Sequence, residues 1–428
     1  MKNLRVNVDH VTRVEGHGNI VVNVKEGRIE ECKWEVVEAP RFFEAFVRGR
    51  NYLEIAHITS RICGICSIGH TLCSLQATEA AMGVKISEQT RLLRRILIQG
   101  ENLQSHILHS YFLAAPDFVG APSVFPLVQT HPEVVVRALR MKKLANDLCD
   151  IVGGRTVHPI TPTVNGFTKL PAIKDLKEIR QRLVDAGPDL EATLALFKTL
   201  KIPAFERETE YISLQSKEEY ALYDGVIAST DAGTTPVENY RSWTNEYLVP
   251  HSTAKYTKHV RDSYLVGALA RFNNNHTQLS RGAQKAASEL GLTAPCYNPF
   301  MNTVAQVVEA VHAVDEIIRL IDQLLERGLK EEDRRILLKA GRGVGSVDVP
   351  RGILFHDYTY DKNGVCVEAN CIIPTNQNHA NIQRDMEALL PQILDRPEEE
   401  IRLSLEMLVR AYDPCISCST HLLKVEFV

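Results

Sequence analysis

Hydrophobic and polar residues alternate with a period of two over the first 40 residues, and this pattern predicts β-strands. Val6 and Val8 alternate with polar residues, and the apolar-rich segments 20–24 and 29–37 flank a Lys-Glu-Gly-Arg sequence that suits a tight turn. From about residue 54 apolar residues recur at every third or fourth position, which indicates helices. The long helices predicted in this way cover 87–114, 132–152, 175–199, 254–290, 301–327, 376–394 and 397–411.

A second hairpin is predicted towards the C-terminal end. Segments 353–360 and 365–373 surround an Asp-Lys-Asn-Gly sequence, and Asn-Gly favours the type I′ turn of a two-stranded hairpin. The elements together predict an α+β fold that is mainly α-helical, with long central helices and small β elements near both ends. Because no long linker divides the chain, we expect residues 1–428 to form a single domain with a β-rich start over 1–40.

The overall composition is that of a soluble globular protein. The chain has 49 Lys and Arg against 53 Asp and Glu, a net charge of −4, and a nucleic-acid binder would usually show a basic excess. No run of 18 apolar residues predicts a membrane-spanning helix, and the first residues lack the apolar core of a signal peptide. We therefore expect a cytoplasmic protein without a nucleic-acid partner or direct membrane insertion.

Four of the ten cysteines form two Cys-x-x-Cys pairs, Cys63 with Cys66 and Cys415 with Cys418. Thiols at this spacing can direct both sulfurs to one point, and two pairs would supply four thiolates, which suit zinc, iron–sulfur clusters or nickel. Three interpretations stay open: a structural zinc site, two independent redox pairs, or a catalytic transition-metal centre. The pairs are 352 residues apart, whereas the two halves of a compact zinc module are usually about 15–20 residues apart.

Two motifs around these pairs resemble the signature motifs of the large subunit of nickel–iron hydrogenases. They are RICGICSIGH at 61–70 and DPCISCSTH at 413–421. The resemblance extends from about residue 5 to residue 421. Each motif alone is a weak indication, but the whole set in this order is specific to the family. The supporting motifs are VTRVEGHGNI at 11–20, RFFE at 41–44, DVPRG at 348–352 and NCIIPT at 370–375.

The resemblance implies a catalytic subunit that oxidises H₂ heterolytically to protons and electrons and also reduces protons. It implies that Cys63 and Cys415 are terminal ligands of nickel, and that Cys66 and Cys418 bridge nickel to an iron carrying carbon monoxide and cyanide. A Lewis-acidic metal polarises H₂, so that a nearby base can take a proton.

The same resemblance implies roles for polar residues around the centre. Cys415 would be the first proton acceptor, and Glu15 would move the proton onwards. Arg351 would lie over the open metal position, with Asp117 and Asp413 near it. Without the motif, the plainer interpretation of Glu15 is an ion pair with Arg13, and that of Arg351 is a surface or ion-paired arginine.

Three further residues are expected to contact the cofactor. His70 would donate a hydrogen bond to a bridging sulfur, although a buried core histidine with no such role remains an alternative. Thr375 would hydrogen-bond a cyanide on iron. Pro350 would lie beside the centre next to the arginine of its motif.

The motifs also imply a magnesium site and a processed C-terminus. Glu44, His421 and the backbone carbonyl near Ile372 resemble a magnesium site, which iron could also occupy. Family members are made as precursors whose C-terminal tail is removed by a maturation protease, and the seven residues 422–428 would be such a tail.

The partners implied are a small subunit with iron–sulfur clusters, together with flavin- and iron–sulfur-containing subunits of the diaphorase type. The motifs look more like the soluble, cofactor-coupled branch, bidirectional or bifurcating, whose electrons pass to NAD(P), ferredoxin or another soluble acceptor. Three other functions remain in competition. They are a hydrogen-sensing homologue, a zinc-binding protein, and a non-catalytic scaffold like the quinone-site subunit of complex I, which lacks the four cysteines.

Overall fold

The computed structural model describes residues 3–420. Among these residues the strands form two three-stranded sheets, one four-stranded sheet and one two-stranded sheet, with mostly antiparallel pairing. In chain order they are β1 (Leu4–Val8), β2 (Gly18–Lys25), β3 (Arg28–Val36), β4 (Pro162–Thr163), β5 (Gly166–Phe167), β6 (Glu210–Gln215), β7 (Val226–Ser229), β8 (Gly233–Thr235), β9 (Tyr264–Leu265), β10 (Gly341–Val349), β11 (Gly352–Tyr360) and β12 (Cys366–Ile372).

Helices make up the body of the protein. In chain order they are α1 (Phe43–Val47), α2 (Tyr52–Thr59), α3 (Ser67–Met82), α4 (Glu88–Leu108), α5 (Ala115–Phe118), α6 (Leu127–Thr130), α7 (Pro132–Gly153), α8 (Ile173–Asp185), α9 (Gly187–Thr199), α10 (Tyr240–Thr244), α11 (Ala268–Asn275), α12 (Arg281–Glu289), α13 (Met301–Arg327), α14 (Pro374–Ile393), α15 (Glu398–Ala411) and α16 (Ile416–Ser419). Single turns of 3₁₀-helix lie at Ser60–Ile62, Val237–Asn239 and His276–Gln278, and a π-helix covers His109–Ala114.

The mainly helical α+β fold is confirmed, as is the strand-rich start. The alternation of buried and exposed residues in β1 and β2 places Val6 and Val8 in the core, where β1–β2–β3 pair antiparallel. The helix predicted at 301–327 is observed as α13, and Ser87 caps α4 by accepting a hydrogen bond from the Thr90 N–H at 3.0 Å.

Two segments that were predicted as single continuous helices are interrupted in the structure, so these two predictions were wrong. The segment predicted as one helix over 254–290 contains β9, α11 and α12, because Gly267 has a φ of +123° that no helix accommodates. The segment 175–199 is divided into α8 and α9, and Pro188, which lacks a backbone N–H, lies in the first turn of α9. Strand β10 was not predicted, although the hairpin that follows it was.

The close packing of α3 on β10 decides where the candidate site lies. A Cβ atom at Gly343 would approach the Ala81 nitrogen to 2.2 Å, and one at Gly345 would approach the Cys73 oxygen to 2.2 Å. Only glycine therefore lets the strand lie directly against this helix. Because α3 begins just after Cys66 and β10 ends just before Pro350, this contact brings two distant motifs together.

The long helices α4 and α13 pack against each other in the centre of the molecule. The first half of α13 is buried around its whole circumference, from Asn302 to Val314. A helix that is buried on all sides belongs to the core of a large domain. Within residues 3–420, no helix is both long and apolar enough to cross a membrane.

Candidate metal centre

The first cysteine pair lies at the start of α3. Cys63 follows the 3₁₀ turn in extended conformation, and Cys66 is the N-cap residue of α3. The backbone N–H groups of Ile65 and Cys66 donate to the Cys63 sulfur at 3.2 and 3.1 Å. Backbone N–H groups at a helix start stabilise a thiolate, so the turn prepares Cys63 to ionise.

The second pair lies at the other end of the chain, at the short helix α16. Pro414 and Cys415 run beside the segment around Glu15, where the Ile416 N–H donates to the Glu15 carbonyl at 2.9 Å. This pairing joins the N-terminal motif to the C-terminal motif. It places Cys415 and Cys418 opposite the first pair.

The sulfurs of the two pairs meet in one buried cluster. The sulfurs of Cys63 and Cys415 are 3.5 Å apart, and those of Cys63, Cys415 and Cys418 all lie within 4.8 Å of one another. A metal–sulfur bond of about 2.3 Å with tetrahedral angles separates its sulfurs by about 3.8 Å. The observed spacing therefore fits thiolates that share a soft metal ion, and the cysteines are not in disulfide bonds.

The four thiols do not titrate alike. Hydrogen bonding to neighbouring thiols, first of all that of Cys415, holds the pKa of Cys63 well below its ordinary value. Hydrogen bonding to Cys63 and burial hold the pKa of Cys66 well above it. Neighbouring sulfurs and burial raise the pKa of each of the other three thiols, so a bound cation would be needed to hold several thiolates in so small a volume.

Arg351 covers one side of the cluster. Its Nη1 lies 3.4 Å from the Cys66 sulfur, and its Nη2 and Nε donate to the Asp413 carboxylate and carbonyl, both at 2.6 Å. Only 3% of Arg351 is exposed. The predicted proximity of Asp413 is therefore observed.

Asp117 is bound by two other arginines, and its proximity to Arg351 stays a prediction. Arg410 donates to both Asp117 oxygens, at 2.7 and 2.9 Å, and Arg13 binds the same carboxylate. Two arginines saturate this carboxylate, whereas Arg351 is already bound by Asp413. Spacing along the chain could not show which arginine would reach it.

Glu15 contacts the cluster at Cys415, whereas Arg351 contacts it at Cys66. Its Oε2 lies 3.2 Å from the Cys415 sulfur and accepts a hydrogen bond from the Ser417 N–H at 3.0 Å. Its side chain is half-buried, and its partner is not Arg13, which binds Asp117. The plainer interpretation of Glu15, an ion pair with Arg13, is thus not what the structure shows.

The three predicted cofactor contacts lie near the cluster in different ways. The Thr375 hydroxyl oxygen accepts from the Cys415 N–H at 3.1 Å, which leaves its O–H free to donate. The Pro350 carbonyl accepts from Arg271 at 3.0 Å. His70 Nδ1 lies 3.1 Å from His356 Nε2, so its expected bond to a bridging sulfur stays a prediction.

The predicted magnesium ligands are brought together in part. Glu44 is buried, and its Oε1 accepts a hydrogen bond from the Cys371 N–H at 2.7 Å, one residue before Ile372. His421 and the tail 422–428 lie outside the described residues. The carboxylate and the strand carbonyls are hard oxygen donors of the kind that magnesium binds.

Two buried carboxylates near the site were not predicted. Glu101 of α4 accepts from the N–H groups of Ile68 at 2.7 Å and Gly69 at 3.0 Å, and burial raises its pKa to about 8. Glu309 of α13 is bound by Arg271. In the sequence both look like ordinary glutamates of amphipathic helices, so nothing in the pattern indicated that they are buried near the site.

Comparison with known families supports the motif-based expectation. The sequence pattern of the family described as nickel-dependent hydrogenase matches residues 41–133 and 207–421. A further pattern, described as HoxL-like, matches residues 5–39. Together these matches include all four cysteines of the cluster, Glu15 and Arg351.

Individual relatives match along almost the whole chain. The chain is 33% identical to the alpha subunit of sulfhydrogenase 1 from Pyrococcus furiosus, with 99% of this chain and 100% of that protein covered. It is 30% identical to a subunit of the F420-non-reducing hydrogenase of Methanothermobacter thermautotrophicus, with 98% and 95% covered.

Solved structures agree with these relatives. The fold is similar to that of an NAD⁺-reducing NiFe hydrogenase in its H₂-reduced state, with a TM-score of 0.86, 27% identity, and 98% and 99% of the two chains covered. It is also similar to a Ni-Fe-Se hydrogenase from Desulfomicrobium baculatum, with a TM-score of 0.79 and 22% identity over 98% and 100% of the chains. At that identity, the second match supports the fold alone.

Proposed function

The chain belongs to the nickel-dependent hydrogenase family and is a hydrogenase large subunit, and from this premise we propose which residues form and serve its metal centre. We propose that Cys63 and Cys415 are terminal ligands of nickel, and that Cys66 and Cys418 bridge nickel to iron. The observation that carries this assignment is the convergence of Cys63, Cys415 and Cys418 within 4.8 Å from opposite ends of the chain.

The donor set fits such a centre, since four thiols are soft ligands in a buried pocket. When bound, nickel and iron supply the Lewis acidity that splits H₂ heterolytically and the redox capacity that takes up its electrons. Carbon monoxide and cyanide would complete the iron coordination. Thr375 has the free O–H that a hydrogen bond to cyanide requires.

Cys415 and Glu15 are the proposed proton carriers. The Cys415 sulfur lies 3.2 Å from the Glu15 Oε2, so the carboxylate can accept a proton directly from this sulfur. The bond from the Ser417 N–H fixes this oxygen in place. Because the Glu15 side chain is only half-buried, the proton can pass from this carboxylate towards solvent.

Arg351 and Asp413 are proposed to shape the Cys66 side of the centre. Two hydrogen bonds from Arg351 to Asp413 hold the guanidinium in one orientation over the cluster. A fixed, desolvated positive charge at this distance favours ionised sulfurs and excludes bulk water. Pro350 restricts the backbone from which Arg351 extends.

His70 and a magnesium ion are proposed as outer contributors. His70 would donate to a bridging sulfur and adjust its basicity. Glu44, His421 and the carbonyl near Ile372 would hold magnesium, or iron, beside the C-terminal motif. Removal of residues 422–428 by a maturation protease would be the last step of assembly, and mass spectrometry of active protein would detect it.

The proposed partners are a small subunit with iron–sulfur clusters, together with subunits of the diaphorase type. Outside the cluster, the remaining cysteines of the described chain are mostly buried and separate from one another in the sequence, so electrons need a relay on another chain. A relative named as NAD⁺-reducing favours a soluble, cytoplasmic complex with NAD(P) or ferredoxin as acceptor.

Metal analysis combined with infrared spectroscopy tests the proposal. We expect the purified complex to contain nickel, and iron in excess of nickel because the iron–sulfur clusters of the partner subunits add to the iron of the centre. Infrared bands of metal-bound carbon monoxide and cyanide should accompany the nickel. Zinc without nickel would refute the assignment in favour of the zinc-binding alternative. A loaded centre with negligible H₂ turnover would favour the sensing alternative. A protein with no metal at the four thiols would favour the scaffold alternative.

A further inference from the structure

The face of α4 that turns towards α13, together with the π-helix that continues it, carries buried polar atoms that have no hydrogen-bond partner within residues 3–420. In the described part of the chain, both polar atoms of the Asn102 side chain, the Nδ1 of His106 and the Oγ of Ser110 make no hydrogen bond. These residues are 0–1% exposed. They follow one another at intervals of four residues, so their side chains lie one above the next along one face.

The His106 ring is oriented by Glu309 of α13. Burial alone would raise the pKa of Glu309, but Arg271 donates to both of its oxygens at 2.7 Å and holds the pKa well below its usual value. The carboxylate is therefore ionised and can only accept. The His106 Nε2, 2.7 Å from Glu309 Oε2, must carry the proton, and Nδ1 presents a free lone pair.

This lone pair belongs to a neutral imidazole. Burial lowers the pKa of His106, against the opposing influence of Glu309. The other charged groups that act on it are Arg271 of α11, which lowers the pKa, and Asp413, which raises it. A buried histidine held by an ionised carboxylate is a base that can take up a proton transiently, because the carboxylate stabilises the imidazolium.

A neighbouring position on the same helix touches the candidate metal centre. Ser105, next to His106, places its Oγ 3.5 Å from Nη1 of Arg351, and that nitrogen is 3.4 Å from the Cys66 sulfur. Asn102 lies one turn before Ser105. Ser105 thus connects Asn102, the first residue of the row, to the arginine that covers the cluster.

Such a row is costly unless water fills it. An unsatisfied buried donor or acceptor costs about 1–3 kcal/mol, and this short stretch of helix holds four such atoms. The Cβ atoms of residues one turn apart on a helix lie about 5–6 Å from each other, and one water molecule with two hydrogen bonds of about 2.8 Å spans a gap of that size. Buried water with several polar partners is a regular part of protein interiors.

We propose that this seam, formed by Asn102, Ser105, His106 and Ser110, holds a file of water that moves protons between the Arg351 side of the centre and the base Nδ1 of His106. Each water accepts one proton and passes one on. His106 gains one proton at Nδ1 and later returns one, so no electrons move. The inference rests on the proposed metal centre as the place where protons are released.

Two variants of the assembled, metal-loaded complex test the seam. Asn102→Leu keeps the shape of the side chain but removes its polar atoms and excludes water. His106→Gln keeps a donor to Glu309 but cannot take up a proton. For each variant we expect H₂ turnover to fall at least about tenfold, with a larger solvent isotope effect and unchanged nickel content.

Ser346→Ala serves as the matched control. Ser346 Oγ is another buried oxygen without a partner, but it lies on β10 outside the seam, and its loss should leave turnover and isotope effect unchanged. A high-resolution structure of the parent should show ordered water at Asn102 and His106. In the Asn102→Leu variant no water should lie beside the substituted side chain, whether or not the metal is loaded.

Two results would overturn the proposal, and a third would instead contradict the proposed function. Removing unsatisfied polar atoms from a dry interior stabilises a protein, so a raised Tm of Asn102→Leu with unchanged turnover would overturn the proposal. Absence of water from the seam of the parent would do the same. Absence of nickel from the parent complex would instead contradict the proposed function, and the water sites would still be measurable.

Discussion

The two cysteine pairs are held in different ways. Cys63 and Cys66 open a 16-residue helix, α3, which packs directly on the backbone of β10. Cys415 is the N-cap residue of a four-residue helix, α16, which contains Cys418 and depends on hydrogen bonds. Side chains from distant motifs bind its backbone: Glu15 at the Ser417 N–H, Thr375 at the Cys415 N–H, and Asn376 at the Ser419 carbonyl.

The comparison shows that different interactions position the two halves of the centre, packing for the first pair and hydrogen bonds for the second. Packing fixes the first pair through backbone contacts that tolerate only glycine in β10. Individual polar side chains fix the second pair, and two of them, Glu15 and Thr375, are also proposed to act on the proton or on the cofactor. We therefore expect single substitutions to separate function from stability around Cys415, but much less so around Cys63.

Loss of one thiol from either pair has the largest expected effect. Cys63→Ser and Cys415→Ser should each abolish H₂ turnover and lower nickel to background, because a serine hydroxyl is a hard, protonated donor. Nickel analysis of the purified complexes measures the loss. Cys296→Ser is the control, since this partly exposed cysteine lies outside the cluster. Full nickel content in either cluster variant would show that the pairs do not form one site.

Substitution of Glu15 should come next. Glu15→Gln keeps an oxygen for the Ser417 N–H but cannot carry a proton, so turnover should fall about 10²–10⁴-fold while nickel and iron stay bound. Steady-state H₂ oxidation and metal content are the measurements. Glu38→Gln is a nearby control, because that carboxylate binds His17 at the surface. Full turnover in a correctly loaded Glu15 variant would remove Glu15 from the proton path.

Substitution of Thr375 should have a smaller effect. Thr375→Val keeps the shape but removes the acceptor for the Cys415 N–H and the O–H proposed to bind cyanide. Outer-shell partners of this kind are worth about 10–100-fold in metal affinity or activity. We expect a loss in that range, with shifted cyanide bands in the infrared spectrum. Unshifted bands would place the hydroxyl away from the cofactor.

Substitution of Glu101 should change the pH dependence of the stability more than it changes the activity. This carboxyl accepts hydrogen bonds from the N–H groups of Ile68 and Gly69 in the first turn of α3, which packing on β10 also holds, and burial raises its pKa to about 8. Between the ordinary value of about 4.3 and about 8, the folded metal-free chain binds one more proton than the unfolded chain. Its stability should therefore fall as the pH rises, by up to about 1.4 kcal/mol per pH unit.

In Glu101→Gln this contribution to the pH dependence should disappear. Denaturant unfolding of the metal-free protein at several values between pH 5 and pH 8 measures the slope. Equal slopes in the parent and the variant would mean that Glu101 is already ionised in the folded state. Neither result would alter the assignment of the second cysteine pair.

Much of this architecture could be predicted from the sequence. Strong helical periodicity predicted α13, and alternation predicted β1 to β3, because local patterns reflect burial. The motifs brought together Cys63, Cys415, Arg351 and Asp413, which the structure places in contact. The partner of Asp117 could not be predicted, because three arginines compete for two carboxylates and only tertiary packing decides between them.

Other features had no local signal. The break of the predicted helix over 254–290 depends on the positive φ of Gly267, which approaches the Arg351 carbonyl. The neutral tautomer of His106 depends on Glu309 and Arg271, which are distant in the sequence. Buried polar networks of this kind follow from which helix faces meet, and hydrophobic periodicity does not specify this.

X-ray diffraction from crystals of the assembled complex, recorded on both sides of the nickel absorption edge, tests the central claim most directly. The account predicts an anomalous nickel peak about 2.3 Å from the sulfurs of Cys63, Cys66, Cys415 and Cys418, with a neighbouring iron peak closer to Cys66 and Cys418. A peak at the zinc edge instead, or a nickel peak away from these four sulfurs, would contradict it.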